Sequence, residues 1–543
     1  MLDLWYKNAV IYCLDVETFM DADGDGVGDF QGLTDRLDHI EELGATCVWL
    51  LPFYPSPNRD NGYDVTDFYG VDPRLGTLGD FVAFTHAARD RGLRVIVDLV
   101  ANHTSVDHPW FQEARRDPAS RYRDWYVWSK EKPENIHEGV VFPGVQEAIW
   151  TYDEVAGAWY LHRFYEHQAD LNVANPAVRE EIEKVMGFWL QLGVSGFRLD
   201  AVPFLVEHVG LPGPQPEDPH AYLAELRDFL AWRRAEAMML AEANITMDQV
   251  ADYFGDGDRM HMIFNFLLNQ HLFLALARGD AEPIRRVMRN TPDIPRKSQW
   301  GSFLRNHDEL DLGRLSEKER AEAFAAFGPD PHMQAYGRGI RRRLAPMLAG
   351  DASRLKLAWS LMFALPGTPV LWYGDEIGMG DDLSQPERNS VRSPMQWANE
   401  PNGGFSTAPA DRLVRPAIAG RPFGYEEINV AAQRDRTGSL MEHVQRLVRT
   451  RRSCPEVGWG QCEMIETQES SVLALRYDWR GQVVVAVHNL ADRPVTAGIR
   501  LSGVDQLRPL LCSGDDRSMQ SAAEPIRLAP HGFGWFRAHG ERR

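Results

Sequence analysis

Eight short apolar runs between Ala9 and Glu376 constrain the fold of this chain more than any other feature. They are AVIYCLDV from Ala9, ATCVWLL from Ala45, LRVIVDLV from Leu93, GFRLDA from Gly196, AMMLAEAN from Ala237, MHMIFNF from Met260, GSFLRNHD from Gly301 and GTPVLWYGDE from Gly367. Each is apolar nearly throughout, the pattern of parallel strands buried on both faces. Amphipathic stretches lie between them, among them LTDRLDHIEELG, FVAFTHAARDRG and PAVREEIEKVMGFWLQLG, each closed by a glycine that can stop a helix. Eight strands alternating with helices predict an α/β chain folded as a (β/α)8 TIM barrel. A doubly wound open sheet is the alternative, but it rarely needs so many units.

The spacing of the runs also sets the domains. The third is followed by a long aromatic and polar segment, residues 104–170, too long for a simple connection and predicted to form a subdomain over the barrel mouth. The barrel takes residues 1–103 and 171–455. After the eighth run the chain is irregular from Met379 to Asn429, and the stretch SLMEHVQRLVRTRRS then reads as a helix. From about Gln461 the runs SVLALRYDW, GQVVVAVHNL, TAGIRLSG and GFGWFRAH predict a C-terminal antiparallel β-sandwich domain, residues 456–543.

In a barrel, chemistry sits where strands end. Polar residues interrupt the runs at those ends: Asp98, Asn102 and His103 after the third, Arg198 and Asp200 after the fourth, Glu242 after the fifth, His307 and Asp308 after the seventh. One aspartate after a strand is usually a helix cap. Carboxylates converging from three strands, with two histidines and an arginine among them, suit glycoside chemistry, in which one carboxylate attacks the anomeric carbon and another protonates the leaving oxygen. A nucleophile must stay ionised, and Arg198, two residues from Asp200 on the same strand face, is placed to depress its pKa. The apolar run before Glu242 offers the desolvation that raises the pKa of a general acid.

Composition excludes other classes. With 58 basic and 78 acidic residues the net charge is −20, unsuited to nucleic acid or anionic membranes. No stretch approaches the roughly 20 apolar residues that span a bilayer. The segment MLDLWYKNAVIYCLDV lacks the pattern of a secretory signal, and the five scattered cysteines suggest free thiols in a reducing cytoplasm. No GxGxxG follows a strand and no P-loop occurs, so no organic cofactor is implied.

The motifs DLVANHTS, GFRLDAV, LAEAN and FLRNHDE, with QADLN near the end of the insertion, resemble the conserved regions of the α-amylase family (glycoside hydrolase family 13). Longer stretches, WYKNAVIY, HRFYEHQADLN, GIRRRLAPML, LPGTPVLWYGDEIGMGD and VRSPMQW, are similar to the bacterial trehalose synthases within it, and several are shared with oligo-1,6-glucosidases and α-glucosidases. The resemblance implies Asp200 as nucleophile, Glu242 as acid/base and Asp308 as transition-state stabiliser. It implies that His103 and His307 hold sugar hydroxyls, that Arg198 orients Asp200 and that Tyr63 stacks under glucose. Asp64 and Arg392 would pair to close the pocket, and Phe164 would line it. The implied substrate is a small α-linked disaccharide, either isomerised between maltose and trehalose or hydrolysed. Such enzymes often self-associate, so a homo-oligomer is open. Ala169 stands where relatives usually have proline, and DELDLGRLS departs from the usual continuation after NHDEL. The stretch RGIRRRL reads as a solvated basic helix face, with an anion site as the alternative.

The loop DADGDGVGDF after the first run alternates aspartates with small residues. It is no EF-hand, because position twelve counted from Asp21 is Gly32 rather than glutamate. Side chains of Asp21, Asp23, Asp25 and Asp29 with the Val27 carbonyl still offer a sound calcium geometry, and the resemblance implies a structural calcium there. A metal-free acidic turn is the alternative.

Overall fold

The eight runs fold into eight parallel strands that close on one another: β1 Ile11–Leu14, β2 Cys47–Leu50, β3 Arg94–Leu99, β4 Gly196–Leu199, β5 Met238–Ala241, β6 Met262–Phe264, β7 Gln299–Phe303 and β8 Thr368–Trp372. Each strand lies beside its sequence neighbours and β8 returns to β1, as a (β/α)8 barrel requires. The computed structural model describes residues 4–207, 217–514 and 518–539. All residues of β1, β2, β4 and β5 are buried, the reason these strands read as unbroken apolar runs rather than alternating ones.

The helices follow the amphipathic stretches. Leu78–Asp90 starts at a capping box in which Thr77 and Asp80 satisfy each other's backbone N–H, and Pro176–Gln191 starts at Asn175 with proline at its first position. The stretch LTDRLDHIEELG divides at Arg36 into two helices, Phe30–Asp35 and Leu37–Leu43. The second stops at Gly44 with φ +87°, a left-handed cap that suits glycine.

The insertion after β3 stands on a two-stranded stem, His103–Ser105 against Gln168–Asp170, and carries a three-stranded antiparallel sheet. Its tryptophans serve its own core: Trp125 meets Trp110 edge-on at 4.8 Å, and Trp128 stacks on Phe111 at 5.4 Å. Between β8 and the helix Leu440–Arg452 the segment holds short 3₁₀ turns, including Glu387–Val391, and one four-residue α-helix, Val430–Gln433.

The C-terminal domain is a six-stranded antiparallel sheet with a second, two-stranded one. From TAGIRLSG only Thr496 and Ala497 enter a strand, Val495–Ala497. The domain docks on the helix Ala352–Ala364, where Trp535 Nε1 donates to Ser360 Oγ at 2.9 Å and Tyr477 donates to the Ala364 carbonyl at 2.6 Å. Cys13, Cys47, Cys454 and Cys462 are free thiols. Among the described residues, no helix is long and apolar enough to cross a membrane.

The arginines of RGIRRRL form neither a solvated helix face nor an anion site. They lie in a connection where Arg343, fully buried, donates to the Tyr373 carbonyl and to Asp375, Arg342 pairs with Asp381, and Arg341 donates to the carbonyls of Leu383 and Gln385. A run of like charge looks solvated in sequence; here carboxylates and carbonyls distant in the chain absorb it.

Candidate active site

The register of the barrel builds the floor of the site. Arg198 on β4 lies directly opposite Asp98 on β3, and Asp200, two residues on, shares its face. The Arg198 guanidinium is the hub: Nη1 holds Asp98 Oδ1 at 2.8 Å and also contacts Asp200 Oδ1, while Nη2 holds Glu242 Oε2 at 2.7 Å. Asp200 and Glu242 are thus drawn together on the two terminal nitrogens of one guanidinium. Ala201, in the left-handed region at φ +50°, turns its N–H onto Glu242 Oε2 at 3.1 Å, so the strand carrying Asp200 fixes Glu242 as well. Trp49 Nε1 donates to Asp98 Oδ2 at 3.2 Å.

A second cluster forms one wall. His307 Nε2 lies 3.0 Å from Asp308 Oδ2 and 2.9 Å from the Tyr63 hydroxyl, and the Tyr63 and His307 rings stack at 5.7 Å. Asp308 Oδ1 accepts from Arg388 Nη1 at 2.9 Å and Arg392 Nη2 at 3.0 Å. His103 is buried with Nε2 3.2 Å from the Tyr63 carbonyl, and its ring tilts against Phe164 at 5.2 Å.

These contacts separate the carboxyl groups electrostatically. Burial raises Glu242 to about 7, against the pull of Arg198 and with a further push from Asp200 and Asp308. Burial raises Asp200 to about 6, although Arg198 works to lower it. This corrects the expectation of a depressed nucleophile: the arginine limits the rise that desolvation imposes and does not reverse it. Burial would raise Asp308 too, but His307 at one oxygen and Arg388 and Arg392 at the other hold it well below the usual carboxylate range. At neutral pH Asp200 is therefore mostly ionised and Glu242 near half protonation. Burial lowers His103 and His307 to about 4, so both are neutral hydrogen-bonding groups.

A cavity of about 320 Å³ opens above these groups, lined by Tyr63, His103, Phe164, Asp200, Glu242 and Asp308. That size lies at the low end of the roughly 300–1,000 Å³ of small-molecule sites. Asp64 and Arg392 do not pair. Asp64 is fully buried beneath its own turn, accepting from Ser56 Oγ and from the backbone N–H groups of Arg59 and Asp60. Arg392, also fully buried, supports the wall by donating to the His307 carbonyl and Asp308. The ion pair across the pocket is instead Asp60 with Arg388, at 2.7 Å, and Gln168 Nε2 adds a hydrogen bond to Asp60 at 2.9 Å. The segments NRDNGYD and ERNSVR each offer two candidates, and spacing alone does not tell which one faces the cavity. Asp98, which alone reads as a helix cap, is the other group that sequence reasoning undervalued; its signal was its place one strand over from Arg198.

In the loop after β1, carboxylate oxygens of Asp21, Asp23 and Asp29 lie within 4.8 Å of one another. Asp21 and Asp29 are nearly buried, and their oxygens also accept from the N–H groups of Gly24, Gly26, Ala22 and Gly32 and from Ser406 Oγ. Asp25 falls outside this group; its Oδ1 accepts from Val27 N at 2.8 Å. The donor set is all oxygen and the cluster carries three negative charges, which fits a hard cation such as calcium.

Comparison with known proteins agrees with this geometry. The family profile described as "Alpha amylase, catalytic domain" matches residues 13–326 and 341–460. A trehalose synthase/amylase from Mycobacterium tuberculosis is 44% identical over 541 residues, covering 98% of this chain and 90% of that protein. An oligo-1,6-glucosidase from Halalkalibacterium halodurans is 29% identical, covering 97% of this chain and 98% of that protein. The crystal structure of a trehalulose synthase from Pseudomonas mesoacidophila superposes with a TM-score of 0.79 at 27% identity, covering 98% of this chain and 99% of that one.

Proposed function

The chain belongs to the α-amylase family, and from that premise we propose that it is an intramolecular α-glucosyltransferase that interconverts maltose and trehalose. The observation that carries the chemistry is the pairing of Asp200 and Glu242 on the two terminal nitrogens of Arg198. Carboxyl groups held on one guanidinium suit the close pair of a retaining enzyme rather than the roughly 6.5–9.5 Å that an inverting pair keeps for its water.

Asp200 attacks C1 of the non-reducing glucose while Glu242, near half protonation at pH 7, gives its proton to the bridging oxygen. The bond from C1 to that oxygen breaks as the bond to Asp200 forms. Asp308, held ionised by its two arginines, stabilises the oxocarbenium-like transition state through the sugar hydroxyls. The freed glucose stays in the cavity and turns, and its anomeric hydroxyl attacks C1 while Glu242 takes back a proton and Asp200 leaves. No atom is gained or lost, so one disaccharide becomes its isomer. Neutral His103 and His307 and the Tyr63 ring bind and orient the sugar. Asp60 and Arg388 close the far side.

Incubation with maltose tests this directly. Trehalose is the expected main product, and trehalose offered alone should return maltose. Glucose as the dominant product would replace this reading with an α-glucosidase, in which water takes the place of the second glucose.

Calcium is part of the proposal. Asp21, Asp23 and Asp29 would hold it at the start of the helix Phe30–Asp35, tying the β1 loop to Ser406 in the segment after β8. The free cysteines favour a reducing compartment such as the cytoplasm.

A further inference from the structure

A clasp outside the cavity joins three segments far apart in the chain. Glu387, in the turn after β8, accepts at one oxygen, Oε1, from two phenols: Tyr165 of the inserted subdomain at 3.0 Å and Tyr336 at 3.0 Å. Tyr336 sits at the tip of a hairpin between β7 and β8, where Gln334–Ala335 pairs with Gly339–Ile340. Beside the clasp, the Phe142 ring lies 4.9 Å from both the Tyr165 and Tyr336 rings, and the Arg388 guanidinium lies over Phe142 at 4.8 Å. Arg338, two residues past Tyr336, donates to the Val141 carbonyl at 2.8 Å. Val141, Phe142, Arg338 and Arg388 all line the cavity mouth.

The backbone is held against its preference at the same place. Tyr336 has φ +55° and Glu387 φ +44°, the left-handed region that residues other than glycine rarely occupy. Such conformations persist only where surrounding contacts over-determine them. Here the determining contacts are the clasp itself. Glu387 is also the neighbour of Arg388, which reaches inward to Asp308 and Asp60, so whatever fixes Glu387 fixes the arginine that closes the pocket.

We propose that Glu387, gripped by Tyr165 and Tyr336, is a specificity-determining positioning residue that keeps the mouth shut while the glucosyl intermediate waits, so that the released sugar rather than water attacks it. The inference rests on the glucosyl-transfer reading above. It touches no reacting atom; it acts through Arg388 and Phe142, and its effect is on partition of the intermediate. An intermediate open to bulk water hydrolyses, whereas one sealed with its departed sugar holds that sugar at high effective concentration.

The test is the ratio of glucose to trehalose formed from maltose by Tyr165→Phe, Tyr336→Phe, the double variant, Glu387→Ala and Glu387→Gln, each with its melting temperature. Each phenylalanine keeps the ring against Phe142 and removes only the hydroxyl. The single variants should raise the ratio about threefold, and the double variant and Glu387→Ala about tenfold, given hydrogen bonds to a charged acceptor. Glu387→Gln keeps an acceptor oxygen and should return most of the wild-type ratio, which a merely bulky structural role would not require. A natively melting double variant whose ratio stays within about twofold of wild type overturns the inference. If Glu387→Ala fails to fold, the phenylalanine variants decide. If the wild-type protein forms no trehalose, the function reading fails separately; the ratio is then transfer to added glucose against hydrolysis, and the same unchanged value overturns the clasp.

Discussion

Two clusters of carboxylates occupy this barrel, and they answer the same electrostatic problem in opposite ways. At the floor of the cavity Asp98, Asp200 and Glu242 gather around Arg198, a cation supplied by the chain itself and held rigidly on β4. In the loop after β1, Asp21, Asp23 and Asp29 gather around backbone N–H groups and a serine hydroxyl. An internal cation lets three carboxyl groups be buried together and limits how far burial raises each of them. Dipoles alone leave net negative charge in the loop, the condition under which the proposed calcium would be drawn from solution.

The largest effects should therefore come from the floor. Asp200→Asn keeps the shape of the site and removes the attacking oxygen, so turnover of maltose should fall by about 10⁴-fold or more. A loss of only tenfold in steady-state turnover would move the nucleophile elsewhere.

Glu242→Gln should cost about 10²–10⁴-fold with maltose. Much of that loss should be recovered with α-glucosyl fluoride, whose leaving group needs no proton. The pH dependence follows from the two raised carboxyls. Asp200 must be ionised, so kcat/KM should rise as pH passes about 6; Glu242 must be protonated, so it should fall again as pH passes about 7. Glu242→Gln should erase the alkaline limb and leave the acid one.

Asp98→Asn probes the hub with a smaller effect, about tenfold in kcat/KM, because it loosens Arg198 without touching the reacting groups. Its charge is one of the influences that raise Asp200. Removing it should move the acid limb to lower pH, a displacement that a general loss of packing would not produce.

How much of this was legible in the sequence differs between the clusters for a physical reason. The floor sits on strands and just past their ends, where a period of two and fixed neighbours place side chains, so Arg198, Asp200 and Glu242 announce themselves by ending apolar runs. The far wall of the pocket sits on loops, where one residue of shift turns a side chain from cavity to core. Asp64 and Arg392 were expected there, but the turn buries Asp64 under its own backbone and Arg392 faces the His307 carbonyl, leaving Asp60 and Arg388 to close the gap. The clasp was invisible for the same reason: Tyr165, Tyr336 and Glu387 meet only because three loops converge. In the β1 loop the alternation of aspartates was plain, but which of them turn inward depends on the Asp25–Val27 turn, a detail of backbone rather than of spacing.

The loop supplies the last and smallest prediction. A cation bound only by the folded state stabilises it by mass action, so a calcium chelator should lower the melting temperature of the wild-type protein by roughly 2–5 °C. Asp21→Asn should produce a similar drop and abolish the response to chelator, because Asp21 lies within the cluster and is nearly buried. Asp25→Asn should melt within about 1 °C of wild type and keep the response, because its carboxylate turns onto Val27 N instead of the cluster. The two substitutions remove the same charge four residues apart, so net charge cannot explain a difference between them. Equal loss of the chelator response in both would place Asp25 among the ligands and extend the site to the alternating set. A wild-type protein indifferent to chelator would make the loop a metal-free turn, and the contrast with the arginine-centred floor would then be between a cluster that needs a cation and one that backbone dipoles satisfy.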